Sequence, residues 1–148
     1  MLTEEDTTHQ VLILGLAGEI FAIKAQQVRE ILDPIPVTRV PGAKNYLSSI
    51  LNVRGKVIPL ADLRLRFGMP PAPITSDSRF IVIEIEVSGE PTTIGIVADK
   101  IYEVTELDTT SLEKAPPIGM RWQPEFVTGI SKWKEDFIVV PNLERIFN

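Results

Sequence analysis

The chain has 148 residues, 44% of them hydrophobic, a formal net charge of −5 and no cysteine. Its length is that of one domain or two very small ones, and its acidic balance argues against a general nucleic-acid binder, which normally presents a basic face. Without cysteine it cannot form disulfides, use thiolate catalysis or bind metal through thiolates, and without a long apolar run or a signal peptide we expect it in the cytoplasm.

The first predicted elements are a polar tail and a β-hairpin. We expect residues 1–9 to form a flexible tail and His9, the single histidine, to be solvated. Val11–Leu16 is a continuous apolar run, typical of a strand covered on both faces, and Ile20–Ile23 returns as its partner after a glycine turn. Ala25–Ile31 fits both a short helix and an alternating strand, and the sequence leaves the two open.

A second hairpin is predicted farther along the chain, over Ile50–Pro59. Its two apolar arms meet at Arg54 and Gly55, where glycine tolerates the positive φ of a tight reversal. The Arg54 guanidinium should therefore project from the tip. Pro59 has no amide hydrogen to donate, so the second strand should end there or lie at a sheet edge.

A short helix and a link close the first half of the chain. The helix is predicted from apolar residues at helical spacing: Leu60, Leu63 and Phe67. Residues 68–79 contain three prolines and several small polar residues, a composition typical of a link. We therefore divide the chain into halves of about 10–70 and 80–148.

The second half begins with Phe80–Val87, where apolar and polar residues alternate as in a half-buried strand. Thr93–Val97 is its predicted partner. Asp99–Val104 is as ambiguous as its counterpart in the first half, and Thr109–Pro124 is predicted to be a surface connector because it is long and rich in proline.

The two halves repeat one order of elements. Ile50 and Phe67 match Ile130 and Phe147 at one offset of 80 positions (50 to 130, 67 to 147), and an earlier segment matches at an offset of 73, as Phe21 to Ile94. A half of roughly 70 residues is marginal for an independent core, so the halves should pack on each other. Many short strands separated by glycine and proline predict an all-β fold of two pseudo-symmetric barrels with short helical turns. Whether the halves interleave is left open.

No catalytic constellation stands out in the sequence. The position of the only histidine argues against a Ser-His-Asp set, and phosphate-binding glycine motifs are absent. Glu84 and Glu86 are best explained as a solvated strand face, and Trp122 and Trp133 as core or rim aromatics. We therefore expect no catalytic residue, no metal and no cofactor, and a protein that works through its surfaces.

Two motifs carry a resemblance to a known family. The run Asn-x-Arg-Gly-x-x-Ile-Pro-x-x-Asp-Leu begins at Asn52, and Gly-x-Val-x-Asp spans Gly95 to Asp99. With the surrounding sequence, over about residues 10–148, the chain resembles the CheW family of bacterial chemotaxis coupling proteins. The resemblance implies a single domain of two five-stranded SH3-like barrels with a groove between them, and a non-enzymatic adaptor.

The same resemblance implies partners and a binding site. The partners would be the cytoplasmic tip of a chemoreceptor and the regulatory domain of a chemotaxis-type histidine kinase, in receptor arrays at the inner membrane, with neither nucleic acid nor membrane insertion involved. The positions matching the receptor-binding groove are Val28, Glu30, Ser49, Asn52, Arg54 and Gly55, and we add Ile31, which with Val28 would supply an apolar floor for a bound helix. Kinase-contacting residues are not assigned, although in the family they lie mainly at the apolar ends of the barrels.

Position 49 departs from the family pattern, in which glycine is usual. Ser49 implies either that the local backbone does not need a positive φ or that the groove is narrower here, whereas the second half keeps Gly129 at the equivalent place. Other interpretations of the function stay open. They are a coupling module of a non-chemotaxis pathway such as motility or pilus control, a regulatory module of a larger kinase, and a barrel that binds a small molecule in its groove.

Overall fold

A computed structural model describes residues 8–108, 112–114 and 123–148 of the chain. Within these ranges the backbone is mostly extended, as predicted. The strands are β1 Thr8–Leu16, β2 Glu19–Lys24, β3 Val28–Leu32, β4 Thr38–Arg39, β5 Ser49–Val53, β6 Lys56–Ala61, β7 Arg79–Val87, β8 Glu90–Ala98, β9 Lys100–Asp108, β10 Val127–Trp133 and β11 Asp136–Pro141. The helices are α1 Leu63–Arg66 and α2 Leu143–Phe147, with 3₁₀ turns at Ala25–Gln27, Asn45–Leu47 and Pro124–Phe126.

The strands form two sheets, which we call barrel 1 and barrel 2. Barrel 1 has the order β10-β11-β2-β1-β9, and barrel 2 has the order β3-β7-β8-β6-β5-β4. Replacing each strand of barrel 1 by its repeat in the other half gives β5-β6-β8-β7-β3, the order of barrel 2 without β4. The predicted pair of pseudo-symmetric five-stranded barrels is thereby confirmed. The additional strand β4 has a counterpart in barrel 1 as well, because Thr38 pairs with Ile50 and Glu113 bridges to Ile130 at the same place.

Each barrel combines strands from both halves of the sequence. Barrel 1 takes β1 and β2 from the first half and β9 to β11 from the second, whereas barrel 2 takes β3 to β6 from the first and β7 and β8 from the second. The chain crosses between the barrels twice, at the turn Ala25–Gln27 and at Asp99. Of the two segments that the sequence left ambiguous, Ala25–Ile31 is a 3₁₀ turn followed by strand β3, and Asp99–Val104 is the crossing residue followed by strand β9.

The barrels meet at an aromatic layer that also follows the repeat. Tyr46 contacts Phe147 with ring centroids 6.4 Å apart, and Phe126 contacts Phe67 at 5.7 Å. Each pair is the counterpart of the other, since Tyr46 and Phe126, like Phe67 and Phe147, are 80 positions apart. The largest buried cluster includes this layer and joins strands of both barrels, while each barrel also has a smaller buried cluster of its own.

Local predictions differ from the structure in three strands. Thr8 and His9 lie in β1 rather than in a tail, because β1 pairs with β9 as far as its first residue; residues 1–7 are outside the described ranges. Strand β7 is buried on both faces over residues 80–83, since it lies centrally between β3 and β8. Strand β6 continues past Pro59 to Ala61 inside the sheet, where its pairing with β8 begins only at Leu60.

The remaining predictions concern the chain between and beyond the strands. The helical spacing of Leu60, Leu63 and Phe67 predicted a helix that includes Leu60. Leu60 instead belongs to β6, and helix α1 begins at Leu63. Most of the predicted connector 109–124, with Trp122, lies outside the described residues. In the part of the chain that the structure describes, no helix is long and apolar enough to cross a membrane.

Candidate functional site

The β5–β6 hairpin ends in a tight turn that presents Arg54. Arg54 and Gly55 both have positive φ, 52° and 84°, the conformation of a type I′ turn. The Asn52 side chain holds the turn, because its Oδ1 accepts a hydrogen bond from the Gly55 amide at 2.8 Å. The hairpin predicted around Arg54 and Gly55 is therefore confirmed, and the family motif residue Asn52 has a structural reason to be there.

Arg54 does not point freely into solvent but forms a two-pronged ion pair with Glu30 on β3. Arg54 Nη1 lies 2.9 Å from Glu30 Oε1, and Nη2 contacts Oε2. The Arg54 side chain is 78% exposed and the Glu30 side chain only 21%. Because it joins the hairpin tip to the strand at the other edge of the sheet, the pair closes barrel 2 and fixes the direction of both charged groups.

Exposed apolar side chains lie on β3, which carries Glu30, and on β6, which follows the turn that carries Arg54. Ile31 follows Glu30 on β3, and Val57, which is 61% exposed, lies opposite Asn52 on β6. Val57 was not selected from the sequence. We call Glu30, Ile31, Arg54 and Val57 the barrel-2 surface.

Two predicted groove positions lie away from that tip. Val28 is half-buried and packs against the main core, and Ser49 is at the other end of β5, roughly 16 Å from Arg54 along the strand. The contacts bring together four of the seven predicted positions: Glu30, Asn52, Arg54 and Gly55. Ile31 follows Glu30 on β3, so its side chain points to the opposite face of the strand. Val28 and Ser49 contribute to the same barrel but not to its tip.

Ser49 and its counterpart Gly129 differ in what surrounds them. Among the described non-glycine residues, positive φ occurs at Ala17, Arg54, Ser88 and Lys134, so Ser49 needs none. Gly129 does not have positive φ either, but a Cβ there would lie 2.8 Å from Leu112 Cβ. The backbone at Ser49 is ordinary extended strand, which agrees with the first of the two explanations that the sequence left open.

Barrel 1 carries the same arrangement of charged groups at the equivalent positions. Lys134, with φ 57°, occupies the β10–β11 turn, and its Nζ lies 4.0 Å from Glu103 Oε1 on β9. Trp133 Nε1 also donates to Glu103 Oε1, at 3.3 Å. Lys134 follows Arg54 by 80 positions and Glu103 follows Glu30 by 73, the two offsets of the repeat. The repeat thus preserves a basic turn residue paired with a glutamate across the barrel opening.

The two exposed apolar residues at this second site differ in size from those on barrel 2: Phe137 is larger than Val57, and Val104 is smaller than Ile31. Val104 and Phe137 are the counterparts of Ile31 and Val57, and both are exposed, Phe137 by 62%. The Tyr102 and Trp133 rings pack in an edge-to-face arrangement with their centroids 5.7 Å apart. We call Glu103, Val104, Lys134 and Phe137 the barrel-1 surface; Trp133 joins the aromatic pair to it through its hydrogen bond to Glu103. Sequence reasoning missed this site, although the offsets of the repeat applied to Glu30 and Arg54 would have located it.

A cleft of about 340 Å³ beside the barrel-1 surface is lined by Glu113, Ile130, Ser131, Lys132 and Phe137. The described residues contain no group of three or more His, Asp or Glu placed to hold a metal ion. A cleft of about 550 Å³ opens between the loop after β4 and α1, but no carboxylate or histidine is among its lining residues, which include Arg39, Asn45, Ser48 and Leu65. Two exposed apolar surfaces with fixed charges are instead the form of a protein that binds other proteins.

The fold and these surfaces define a two-barrel scaffold, and comparison with known proteins identifies the family. Residues 10–148 match the model of the CheW-like domain, and the chain belongs to this family. It is 33% identical to chemotaxis protein CheW of Bacillus subtilis over 119 residues, which cover 78% of this chain and 72% of that protein. It is 28% identical over 127 residues to protein PilI of Pseudomonas aeruginosa, covering 84% and 67% of the two chains.

A solved structure supports the same assignment. The crystal structure of scaffolding protein TtCheW from Thermoanaerobacter tengcongensis matches with a TM-score of 0.81 and 30% sequence identity, over 95% of this chain and 88% of that one. The resemblance seen in the two sequence motifs is thereby confirmed along essentially the whole chain.

Proposed function

We propose that this protein is a non-enzymatic cytoplasmic adaptor that couples the tips of chemoreceptors in arrays at the inner membrane to the regulatory domain of a chemotaxis-type histidine kinase. The observation that carries this proposal is the pair of equivalent surfaces on separate barrels. An adaptor must hold two partners at once, and exposed apolar patches on a small protein mark sites of protein contact.

We assign the receptor tip to the barrel-2 surface and the adjoining groove positions. A receptor tip is a helical bundle, and an amphipathic helix on a groove of apolar and charged side chains is a recurrent recognition mode. Ile31 and Val57 supply apolar contact area, and Val28 and Ser49 extend the site along the barrel. Arg54 supplies a charge whose direction Glu30 fixes.

The kinase domain is assigned to the barrel-1 surface. Its exposed Phe137, and the Tyr102–Trp133 pair that contacts Glu103 of this surface, are aromatic anchors of the kind that dominates the binding energy of contacts between folded domains. Lys132 and Lys134 lie over the Phe137 and Trp133 rings at 5.9 and 4.6 Å and border the aromatic groups with positive charge. A partner with an apolar centre and acidic rim would complement this surface.

Two single substitutions test the assignment against each other. Arg54→Ala should weaken binding of a receptor-tip fragment about tenfold, or roughly 1–2 kcal/mol, and leave binding of the kinase regulatory domain within about twofold. Phe137→Ala should do the reverse. Calorimetric titration gives both affinities, and amide chemical-shift changes in the labelled chain should fall on one barrel for each partner.

The same variants carry their own control for folding. The Arg54 side chain is 78% exposed, although Glu30 is only 21% exposed, so Arg54→Ala should lower the free energy of unfolding by at most about 1 kcal/mol. A comparable loss of stability and affinity would contradict a binding role for Arg54. If neither partner perturbs either surface, the adaptor proposal for these partners is wrong.

The pathway in which the adaptor works is a separate question. The similarity to PilI supports, as a second candidate, a coupling module of a pathway other than chemotaxis. Repeating the titration with receptor tips and kinase domains from each signalling system of the same genome would decide between them, since the cognate pair should bind both surfaces at once.

A further inference from the structure

The chain passes from barrel 2 to barrel 1 through a single residue, Asp99. Strand β8 ends at Ala98 and β9 begins at Lys100. The Asp99 amide donates to the Gly15 carbonyl of β1 at 2.8 Å. A one-residue crossing leaves the backbone little freedom, so whatever holds Asp99 also holds the angle between the barrels.

The Asp99 carboxylate is bound from both barrels. Its Oδ2 accepts a hydrogen bond from the Ala17 amide at 2.9 Å, in the β1–β2 turn of barrel 1. The same oxygen forms an ion pair with Arg64 Nη2 on α1, the helix that directly follows β6 of barrel 2. Arg64 is 16% exposed and Asp99 38%, so the pair is partly shielded from solvent.

Helix α1 is itself anchored at the boundary between the barrels. Asp62 caps the N-terminus of the helix: its Oδ1 accepts a hydrogen bond from the Arg64 amide at 3.0 Å. This bond holds the backbone of Arg64 in place. Two residues on, Arg66 Nε donates to the Ile146 carbonyl of α2 at 2.9 Å. The Arg66 guanidinium lies 4.9 Å from the Tyr46 ring centroid and 4.6 Å from that of Phe126. Both arginines of α1 thus reach across to elements of the second half.

The other crossing between the barrels is held by different contacts. It uses the three residues Ala25–Gln27, and the counterpart of Arg64 is Glu144, whose Oε1 accepts from Gln27 Nε2 at 3.4 Å in an exposed position. The pseudo-symmetry of the fold is therefore broken at its two crossings. One is a single residue whose own carboxylate is ion-paired to α1; the other is three residues long, and its Gln26 carbonyl accepts a hydrogen bond from Arg29 Nη1 at 3.0 Å.

We propose that Asp99 and Arg64 form a clasp that fixes the relative orientation of the two barrels and thereby positions the two docking surfaces for simultaneous binding. The second part rests on the proposed adaptor function. Both are positioning residues, since neither belongs to the barrel-1 or the barrel-2 surface.

The orientation itself can be measured without any partner. The chain has no cysteine, so spin labels can be attached at single cysteines replacing Lys56 and Asp136, exposed equivalent positions in the two barrels. The native clasp should give one narrow distance distribution. Asp99→Asn, which keeps an oxygen for the Ala17 amide but removes the charge, and Arg64→Gln should each broaden or shift it, whereas Glu144→Gln at the counterpart position should leave it unchanged.

The proposal would be overturned if both clasp variants gave a distance distribution with the same width and the same mean distance as the native protein. If Asp99→Asn does not melt cooperatively, Arg64→Gln decides. If neither variant folds, the pair is required for folding and not for positioning, which also overturns it.

The binding consequence needs a second readout. In Asp99→Asn, each partner alone should bind within about twofold of the native affinity, while binding of the second partner to the complex with the first should weaken about tenfold. Equal losses in the two separate affinities would indicate a general loss of structure and contradict positioning. If neither partner binds the native protein, the adaptor function fails, while the label distances still test the clasp.

Discussion

At the scale of single residues, Gly129 and Ser49 show how one position can have different requirements in two repeats. Neither has positive φ, so the usual conformational reason for glycine does not apply. Gly129 is crowded instead: a Cβ there would lie 2.8 Å from Leu112 Cβ and 3.1 Å from the Glu113 carbonyl oxygen. Both contacts come from the short segment that bridges to Ile130, so the glycine is needed for its close approach.

This crowding predicts a one-sided effect of exchanging the two residues. Gly129→Ser should lower the free energy of unfolding by about 1–3 kcal/mol, because the segment at Leu112 must shift to admit the new side chain. Ser49→Gly, the matched change in barrel 2, should cost less than about 1 kcal/mol. Urea denaturation monitored by tryptophan fluorescence measures both, and equal costs would contradict a steric role for Gly129.

The candidate site was predictable only in part, and its residues show why. Arg54 and Gly55 could be placed at a hairpin tip because a local rule links glycine to a tight turn. The ion-pair partner of Arg54 could not be predicted, because Glu30 is 24 positions away and the contact depends on how the sheet closes. Exposure of Val57 was equally hidden, because a valine in an apolar run looks the same whether its face of the strand is covered or open.

At the scale of elements, the two hairpin turns at the barrel openings differ despite the repeat. The β5–β6 turn has positive φ at both of its central residues, whereas in the β10–β11 turn Lys134 has positive φ and Glu135 does not. A side chain at position 55 would meet no atom within 4 Å, so any effect of substituting Gly55 must come from its backbone conformation.

We therefore expect Gly55→Ala to lower the free energy of unfolding by roughly 1–2 kcal/mol, the cost of a left-handed conformation for a residue with a Cβ. Glu135→Ala, the equivalent substitution in the other turn, should be within about 0.5 kcal/mol of neutral. Thermal or chemical denaturation of the two variants gives the comparison. A neutral Gly55→Ala would mean that the turn relaxes to another type without cost.

The local sequence pattern predicted where most strands lie. It failed to predict sheet position and burial for β6 and β7, because these depend on which strands and clusters lie beside them. Pro59 was expected to end β6 or place it at an edge, but the strand runs on because its neighbour β8 pairs only with Leu60 and Ala61, beyond the proline. Strand β7 looked half-buried from its alternation, yet Phe80 and Val82 contact a second buried cluster on the opposite face. Both outcomes depend on neighbours from distant sequence.

At the scale of the whole molecule, the repeat predicted two equivalent units but not which strands each would contain. The same sequence order is compatible with two self-contained halves and with halves that exchange strands. The exchange follows from the crossings at Ala25–Gln27 and Asp99, where the chain leaves one sheet instead of turning back into it. Short segments of this kind fit a turn as well as a crossing, so local sequence does not separate the two.

This exchange predicts that neither half folds alone. A fragment of residues 1–74 contains β1 to β6 but lacks β9 to β11, which complete barrel 1, and β7 and β8, which link β3 to β6 in barrel 2. Its strands would expose unpaired edges and half of a shared core.

We expect narrow amide dispersion and no cooperative melting from 1–74 or from 75–148, and recovery of the dispersed spectrum when the two are mixed, because each supplies the strands that the other lacks. The cut at Ile74 lies in the exposed link, so it removes no strand pairing of its own. Cooperative melting of 1–74 by itself would show that the first half can close a barrel without exchange, contrary to the topology described above.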